Sequence, residues 1–269
     1  MRLRADPEHA DLIRDAYLGD DNREESSRFG RSAEFQETVT VVGGFAGREV
    51  LDLGAGSGIT SLAIANAGAA RVYALDPDPS PIVGRGAIEA LGDDRIEVLD
   101  GVGEAIPMPD ESIDVLYGRQ VLHHVTDLDA VAREAVRVLR PGGVFHCCRE
   151  HVVADDEELR AFLQWHPVHN LAGGENAYTL DTYLGAIKRS GLRLRHVWGP
   201  WDTVTNAFPG VRSTGELREA RRRILGAPLA ATWGIASRLP GTARLIRARL
   251  APHTHAGAMY TFVAVRPVG

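Results

Sequence analysis

The sequence predicts an α/β fold: an open, doubly wound sheet of mostly parallel strands with helices on both faces. Three observations carry this expectation. From Glu49 to Trp198, short apolar runs of strand length alternate with longer helical segments, the order that builds βαβ units. The first unit reads Val50-Leu-Asp-Leu-Gly-Ala-Gly-Ser-Gly58, a strand that passes through a glycine-rich turn into the alanine-rich helix Ile59–Ala67. The second apolar run, Arg71–Leu75, ends directly on an acid, Asp76.

The elements follow in order. Pro7–Leu18 reads as a first helix, Asp20–Arg31 as a charged, turn-rich stretch, and Ala33–Val42 as a second helix leading into the core. Strands are predicted at Glu49–Leu53, Arg71–Leu75, Arg95–Leu99, Val115–Gly118 and Val144–Arg149. The fifth is largely apolar, as a strand covered on both faces should be. Its Cys147 and Cys148 are adjacent and should point to opposite faces, so reduced thiols and a cytoplasmic location are expected. Asp155–Gln164 is helical, Trp165–Asn176 is a loop rich in His, Pro, Gly and Asn, and Leu180–Ser190 is a helix stopped by Gly191. Leu192–Trp198 and Gly257–Arg266 are the sixth and seventh strands.

Gly199–Ala256 is far longer than a hairpin needs. It reads as an insertion with helices at Thr214–Leu225, Leu229–Arg238 and Arg244–Leu250, punctuated by Pro209, Pro240 and Pro252. The chain thus divides into an N-terminal helical cap at 1–47, a core at 48–198 with a lid loop at 155–178, a helical insertion or lid at 199–256, and a final core strand at 257–269.

The whole-chain properties exclude several classes. The 269 residues suffice for one full core. A net charge of −6 argues against general nucleic-acid binding, which needs basic surface. No run approaches the roughly 18 apolar residues of a membrane span, so stable membrane insertion is not expected. Nine arginines against two glutamates between Val211 and Leu250 make the insertion basic. Arg221, Arg222 and Arg223 are consecutive, so they cannot all face one partner.

The turn after the first strand suits a nucleotide-type ligand. Glycines at alternate positions expose bare backbone, the helix start offers unpaired N–H groups, and a carboxylate at Asp76 can accept both hydroxyls of a ribose. A dinucleotide fingerprint requires a glycine three residues after the second one. Counted from Gly54, that position is Ile59, which argues against an NAD-dependent oxidoreductase.

The pattern Asp52-x-Gly54-x-Gly56-x-Gly58 instead resembles motif I of the class I S-adenosylmethionine (SAM)-dependent methyltransferases. Further similarities run to about Glu150: Glu104–Asp114 to the loop before the fourth strand, Arg119–His124 to the segment after it, and Leu139–Gly143 to the turn into the fifth. The resemblance implies a Rossmann-like seven-stranded sheet with its last strand antiparallel, and SAM as cofactor. It implies a cofactor site of Asp52, Gly54, Ala55, Gly56, Gly58, Asp76, Pro77, Gly101, Val102, Gly103 and Arg119. Where family members often carry an adenine-binding acid, this chain has Val102, so the backbone of Val102 and Gly103 is expected to read adenine.

The implied reaction moves a methyl group to oxygen or nitrogen of a small-molecule acceptor, such as a metabolite, natural product or sugar. A non-catalytic SAM-binding protein is the other reading, and a homodimer is left open. A hydroxyl acceptor needs a base, and imidazole suits that with a pKa of about 6.5. His151, directly after the fifth strand, is the first candidate, with His169 and His166 second; His123 and His124 read as packing. A metal centre drawn from His146, Cys148, His151, His166 and His169 matches no standard zinc spacing, so no metal is expected. The loop Gly173-Gly-Glu-Asn-Ala-Tyr178 suggests fixed backbone near a ligand. Both inserted segments are expected to lean over the acceptor, bringing Trp165, His169, Tyr178 and Trp201 near it.

Overall fold

The five parallel strands form where the apolar runs predict them: β1 (Glu49–Leu53), β2 (Arg71–Leu75), β3 (Ile96–Leu99), β4 (Ile113–Arg119) and β5 (Leu139–Val153). The computed structural model describes residues 10–165, 175–236, 245–246, 249–250, 254 and 257–268. A two-residue strand, β6 (Tyr178–Thr179), was not foreseen; β7 (Arg193–Trp198) and β8 (Ala258–Val265) were. The main path through the sheet runs β3-β2-β1-β4-β5-β8-β7, with β6 paired to β5 off that path. Strands β1 to β5 run parallel, whereas β8 lies antiparallel to both β5 and β7. The Rossmann-like expectation with an antiparallel last strand is borne out, with one short strand added.

Period-two alternation sorts side chains between two layers. Leu51, Leu53, Leu116, Phe145, Cys147 and Phe262 enter one core cluster. Val50, Val72, Val115, Tyr117 and Cys148 enter the other, with Phe29, Phe35 and Phe45. The adjacent cysteines therefore lie on opposite faces, and both are free thiols.

The first layer is covered by α6 (Leu128–Val138) and α8 (Leu180–Arg189). In α6 the buried residues Val131, Ala132, Ala135 and Val138 form one helical stripe, and the Asp127 side chain caps the first turn through the Ala130 N–H. Thr179 caps α8 in the same way, through Thr182. The second layer is covered by α3 (Ala33–Val42) and α4 (Ile59–Asn66). A short α5 (Arg85–Glu89) follows β2.

The N-terminal arm holds α1 (Ala10–Asp15) and α2 (Asn22–Gly30). The stretch expected to be turn-rich is thus helical. Asp21 caps it through the N–H groups of Arg23 and Glu24, acids occupy its first turn, and Arg28 its last, all favourable to the helix dipole. Its polarity hid the helix, because only Ser26 and Phe29 are buried.

Strand β5 extends beyond its expected end. Glu150 and His151 lie inside it, paired with Tyr260 and Met259 of β8. The register shifts between Cys147 and Glu150, where Arg149 adopts φ +60°. This bulge lets the chain continue as strand past the point where a regular ladder was expected to end.

Helix α7 (Asp156–Trp165) follows β5. The insertion contains α9 (Val204–Ala207), α10 (Thr214–Leu225), α11 (Ala227–Ala231) and α12 (Trp233–Ala236). The expected helix from Leu229 to Arg238 is instead split at Thr232 as far as it is described. Of the segment expected as a third helix, Arg244–Leu250, residues 245, 246, 249 and 250 are described, all helical, and Ile246 and Leu250 pack on Leu225. Arg221 folds inward, donating to the carbonyls of Trp201 and Asp202 beneath the Trp233 ring, while Arg222 and Arg223 are exposed. The arginine run is therefore part clamp and part solvated surface. No described helix is long and apolar enough to cross a membrane.

Candidate active site

The glycine-rich turn is built from consecutive residues. The chain leaves β1 through Gly54, Gly56 and Gly58, all with positive φ (66°, 55° and 79°). At Gly54 a side chain is also excluded by space, since a Cβ would stand 2.5 Å from Val121 Cγ2. The N–H groups of Gly54 and Ala55 both donate to Leu75 O, at 2.9 and 3.1 Å, which ties the turn to β2. Asp52, 2 % exposed, accepts the Ser61 hydroxyl at 2.6 Å and so joins β1 to α4. Burial, reinforced by the nearby Asp76 charge and opposed by the Ser61 bond, pushes the Asp52 carboxyl up to about 7.

Asp76 holds the outer side of the turn. Its Oδ2 accepts the Gly56 N–H at 2.8 Å and its Oδ1 the Asp78 N–H at 2.9 Å. Burial raises its pKa, against the pull of those two bonds. Each carboxylate oxygen retains acceptor capacity for a hydroxyl.

The turn opens on a cavity of about 320 Å³ lined by Asp52, Gly54, Ala55, Gly56, Arg119, Gln120 and neighbours. Ala16, Tyr17, Leu18 and Phe29 of the N-terminal arm also line it. None of its described lining residues comes from the insertion. The insertion instead braces the arm: Arg212 pairs with Asp15 at 2.8 Å, and Phe208 stacks on Tyr17 at 6.3 Å.

Arg119 is held by buried Glu34 of α3, with Nε to Oε1 at 2.6 Å and Nη2 to Oε2 at 3.3 Å, and by Gln120 at 3.0 Å. Burial would lower the Arg119 pKa, but Glu34 more than restores it. Gly58, Asp76, Pro77, Gly101, Val102 and Gly103 do not themselves line this cavity, although Asp76 holds Gly56, which does. Val102 is 44 % exposed, and its carbonyl accepts the Ala105 N–H at 3.1 Å. Asp100 is engaged with Arg85 at 2.8 Å, and Arg85 also donates to the Asp76 carbonyl.

A second, buried cluster is assembled from distant segments. After β4, Gln120 takes φ +55° and a short 3-10 turn, Leu122–His124, follows. Fully buried Glu150 accepts the N–H groups of Val121 and His123, each at 3.1 Å, and lies 2.7 Å from His123 Nδ1. His123 Nε2 lies 3.6 Å from Glu175 Oε2. Burial lowers the His123 pKa, but Glu150 and Glu175 outweigh it and lift it to about 9. His151, 3 % exposed, has Nδ1 2.6 Å from Gly257 O. Its ring stands 4.8 Å from that of His123 and 4.6 Å from that of Phe162.

Pairing of β6 with Val152 and Val153 anchors the chain just after Glu175. His123, His151 and Glu175 thereby converge, with one ligand-type atom of each within 4.8 Å of the others.

His151 thus sits in the cluster, but as a buried strand residue and not in a loop after the strand. His166 and His169 lie outside the described residues. His123, read from sequence as packing, is a central member. The glycine loop around Glu175 was the signal for that residue. Nothing local pointed to the role of Glu150, because it depends on the turn packed against it. Trp201 packs within the insertion, and the Tyr178 hydroxyl donates to Val125 O. A larger cavity, about 420 Å³, is lined by α3, His146 and Thr261 among others and shares no lining residue with the glycine turn. The 320 Å³ cavity is the one at the carboxyl ends of parallel strands, where ligands bind in such sheets.

Comparison with known proteins agrees with this geometry. Residues 51–147 match the family model described as a methyltransferase domain. The chain is 35 % identical over 177 residues to 27-O-demethylrifamycin SV methyltransferase of Amycolatopsis mediterranei, covering 62 % of this chain and 64 % of the relative. The chain spans 37 % to 64 % of the lengths of such curated relatives. Among solved structures, a SAM-dependent methyltransferase from Mesorhizobium loti superposes with a TM-score of 0.59 at 20 % identity, covering 88 % of this chain and 99 % of the other. Geranyl diphosphate methyltransferase in complex with SAM gives 0.58 at 16 % identity, covering 98 % and 94 %. Domain match, relatives and fold agree: residues 51–147 carry a methyltransferase domain, and the chain has the fold of SAM-dependent methyltransferases, similar to enzymes whose cofactor is SAM.

Proposed function

We propose that this chain transfers the methyl group of SAM to an oxygen or nitrogen of a small-molecule acceptor. One observation carries the reading. The cavity at the glycine turn and the buried imidazole–carboxylate cluster are neighbours, since Gln120 lines the first and Val121 donates to Glu150 of the second.

The residues fit the cofactor. Bare backbone at Gly54 and Gly56 lines the cavity, and a Cβ on Gly56 would meet nothing nearer than 3.9 Å. Asp76 would hold the ribose hydroxyls, Asp52 keeps the turn in shape, and Tyr17 and Phe29 roof the cavity. Arg119 fixes one wall through Glu34. When bound, SAM supplies a methyl group on a sulfonium, whose S–C bond breaks with its electron pair left on sulfur as the acceptor's bond to the methyl forms. The protein aligns the acceptor with that bond and excludes water. The arm at 1–47 acts as the cap, and the insertion at 199–256 acts as a lid by bracing it. The acceptor's proton is handled by the cluster; in the simplest form His151 takes it.

The rifamycin relative is named for methylation at an oxygen, which supports an oxygen acceptor here. A net charge of −6 supports a small molecule over nucleic acid. Free Cys147 and Cys148 accord with a cytoplasmic enzyme.

The test is calorimetry with SAM and NAD, followed by mass spectrometry of acceptors incubated with enzyme and SAM. Micromolar SAM binding, no NAD binding, and a SAM-dependent mass gain of one methyl are expected. NAD binding without SAM binding would overturn the assignment. SAM binding with no methylated product from a broad metabolite extract would leave a SAM-binding protein and overturn the enzymatic reading.

A further inference from the structure

The geometry points to a divalent-cation site in the acceptor cluster, with His123, His151 and Glu175 as ligands and a zinc-type ion as occupant. It rests on the reading of this cluster as the acceptor end, and it replaces the expectation of metal independence drawn from residue spacing.

The three residues come from separate segments, yet one ligand-type atom of each lies within 4.8 Å of the others. Around a tetrahedral zinc with bonds of about 2.0–2.1 Å, ligand atoms stand roughly 3.3–3.4 Å apart. His123 Nε2 and Glu175 Oε2 are already 3.6 Å apart, so small side-chain rotations would close the set.

A second observation is independent of those distances. Each imidazole has its Nδ1 against a fixed acceptor: Glu150 Oε2 at 2.7 Å for His123 and Gly257 O at 2.6 Å for His151. A carbonyl or carboxylate oxygen only accepts, so each ring keeps a proton on Nδ1, and an ion binding at Nε2 takes the place of any proton there. Metal-binding histidines are typically oriented in this way, by a carboxylate or backbone carbonyl on the second nitrogen. Both acceptors are themselves fixed. Glu150 also receives two backbone N–H bonds, and Gly257 adjoins β8.

The donor set narrows the occupant. Two imidazoles and one carboxylate suit zinc and its neighbours better than magnesium or calcium, which prefer oxygen. Three protein ligands leave a position for water or the acceptor, as in catalytic sites. The surroundings favour a bound ion, because His123, His151 and Glu150 are buried and the Glu175 side chain is 9 % exposed. With the ion in place the imidazoles serve as ligands. The ion's charge then makes an acceptor hydroxyl more acidic, and the proton passes to solvent water.

The experiment uses the full chain. Metal content is measured by mass spectrometry after purification without chelator. The protein is then stripped, titrated with Zn²⁺, and titrated with Co²⁺ followed by visible absorption. About one equivalent of zinc per chain and a saturable tetrahedral Co²⁺ spectrum are expected. Glu175→Gln should weaken zinc binding at least tenfold, and Glu150→Gln, acting through His123, about 10–100-fold. Circular dichroism confirms that each variant folds. If one fails to fold, His151→Gln replaces it, with the same loss expected. Wild-type protein without stoichiometric zinc or saturable Co²⁺ binding overturns the site, as does equal affinity in the folded variants. SAM affinity, measured on stripped protein by calorimetry, should be unchanged. It tests the cofactor assignment separately, so failure of one reading is distinguishable from failure of the other.

Discussion

The two ends of the site are built in opposite ways. At the cofactor end, residues 49–76 form two adjacent strands, one turn and one helix, and the key contacts join residues close in sequence: Asp52 with Ser61, Gly54 with Leu75, Gly56 with Asp76. At the buried cluster proposed to face the acceptor, His123, Glu150, His151, Glu175 and Gly257 meet from four separate stretches of chain. The first end is specified by local backbone geometry. The second exists only once β4, β5, β6 and β8 are in register. The local end should therefore lose ligand affinity when altered but keep the fold. The assembled end should lose both.

Glu150→Ala should give the largest effect. It leaves two backbone N–H groups and His123 without their buried acceptor, a change of the kind that costs about 3–5 kcal/mol. Urea unfolding should show that loss, and methyl transfer should vanish. If stability changes by less than about 1 kcal/mol, the contrast between the two ends fails.

Asp76→Ala should weaken SAM binding by about 1.5–3 kcal/mol, the range for hydrogen bonds to a charged group. The melting temperature without ligand should move far less than in Glu150→Ala. Calorimetry and a thermal melt on the same sample test this. Unchanged SAM affinity would remove Asp76 from the ribose site.

Asp52 offers a pH-dependent comparison. Its folded pKa, about 7, is well above an ordinary unfolded value of about 3.9. The native state thus binds this proton more tightly. The stabilisation is complete below the unfolded value and is lost as pH rises through about 7. Asp52→Asn keeps an acceptor for Ser61 and cannot ionise. Relative to the wild type, its melting temperature should gain a few degrees more at pH above 8 than near pH 5, on the order set by ΔΔG for a domain of this size. An equal effect at both pH values would show that Asp52 does not titrate there.

Val102→Ala should give the smallest change. Val102 is 44 % exposed and its carbonyl is already bonded to Ala105, so SAM affinity should stay within about twofold if backbone groups read adenine, well under the tenfold that 1.4 kcal/mol represents. A tenfold loss would place the side chain on the adenine ring.

By itself the sequence determined the sheet, the glycine turn, Asp52 and Asp76, because alternation, glycine and strand-end acids are local signals with local causes. The position of Thr214–Leu225 was legible for the same reason. Its serine cap, Ser213, and its glycine stop, Gly226, adjoin it directly. Helix α2 was hidden, since its burial against Tyr17 and Phe35 depends on neighbours and not on its own periodicity. The length of β5 was also decided from outside. Glu150 and His151 become strand because β8 pairs with them past the bulge at Arg149. His123 read as packing and turned out central for the same physical reason. An imidazole takes its chemistry from what surrounds it, and here Glu150, Glu175 and His151 are brought to it only by strand register.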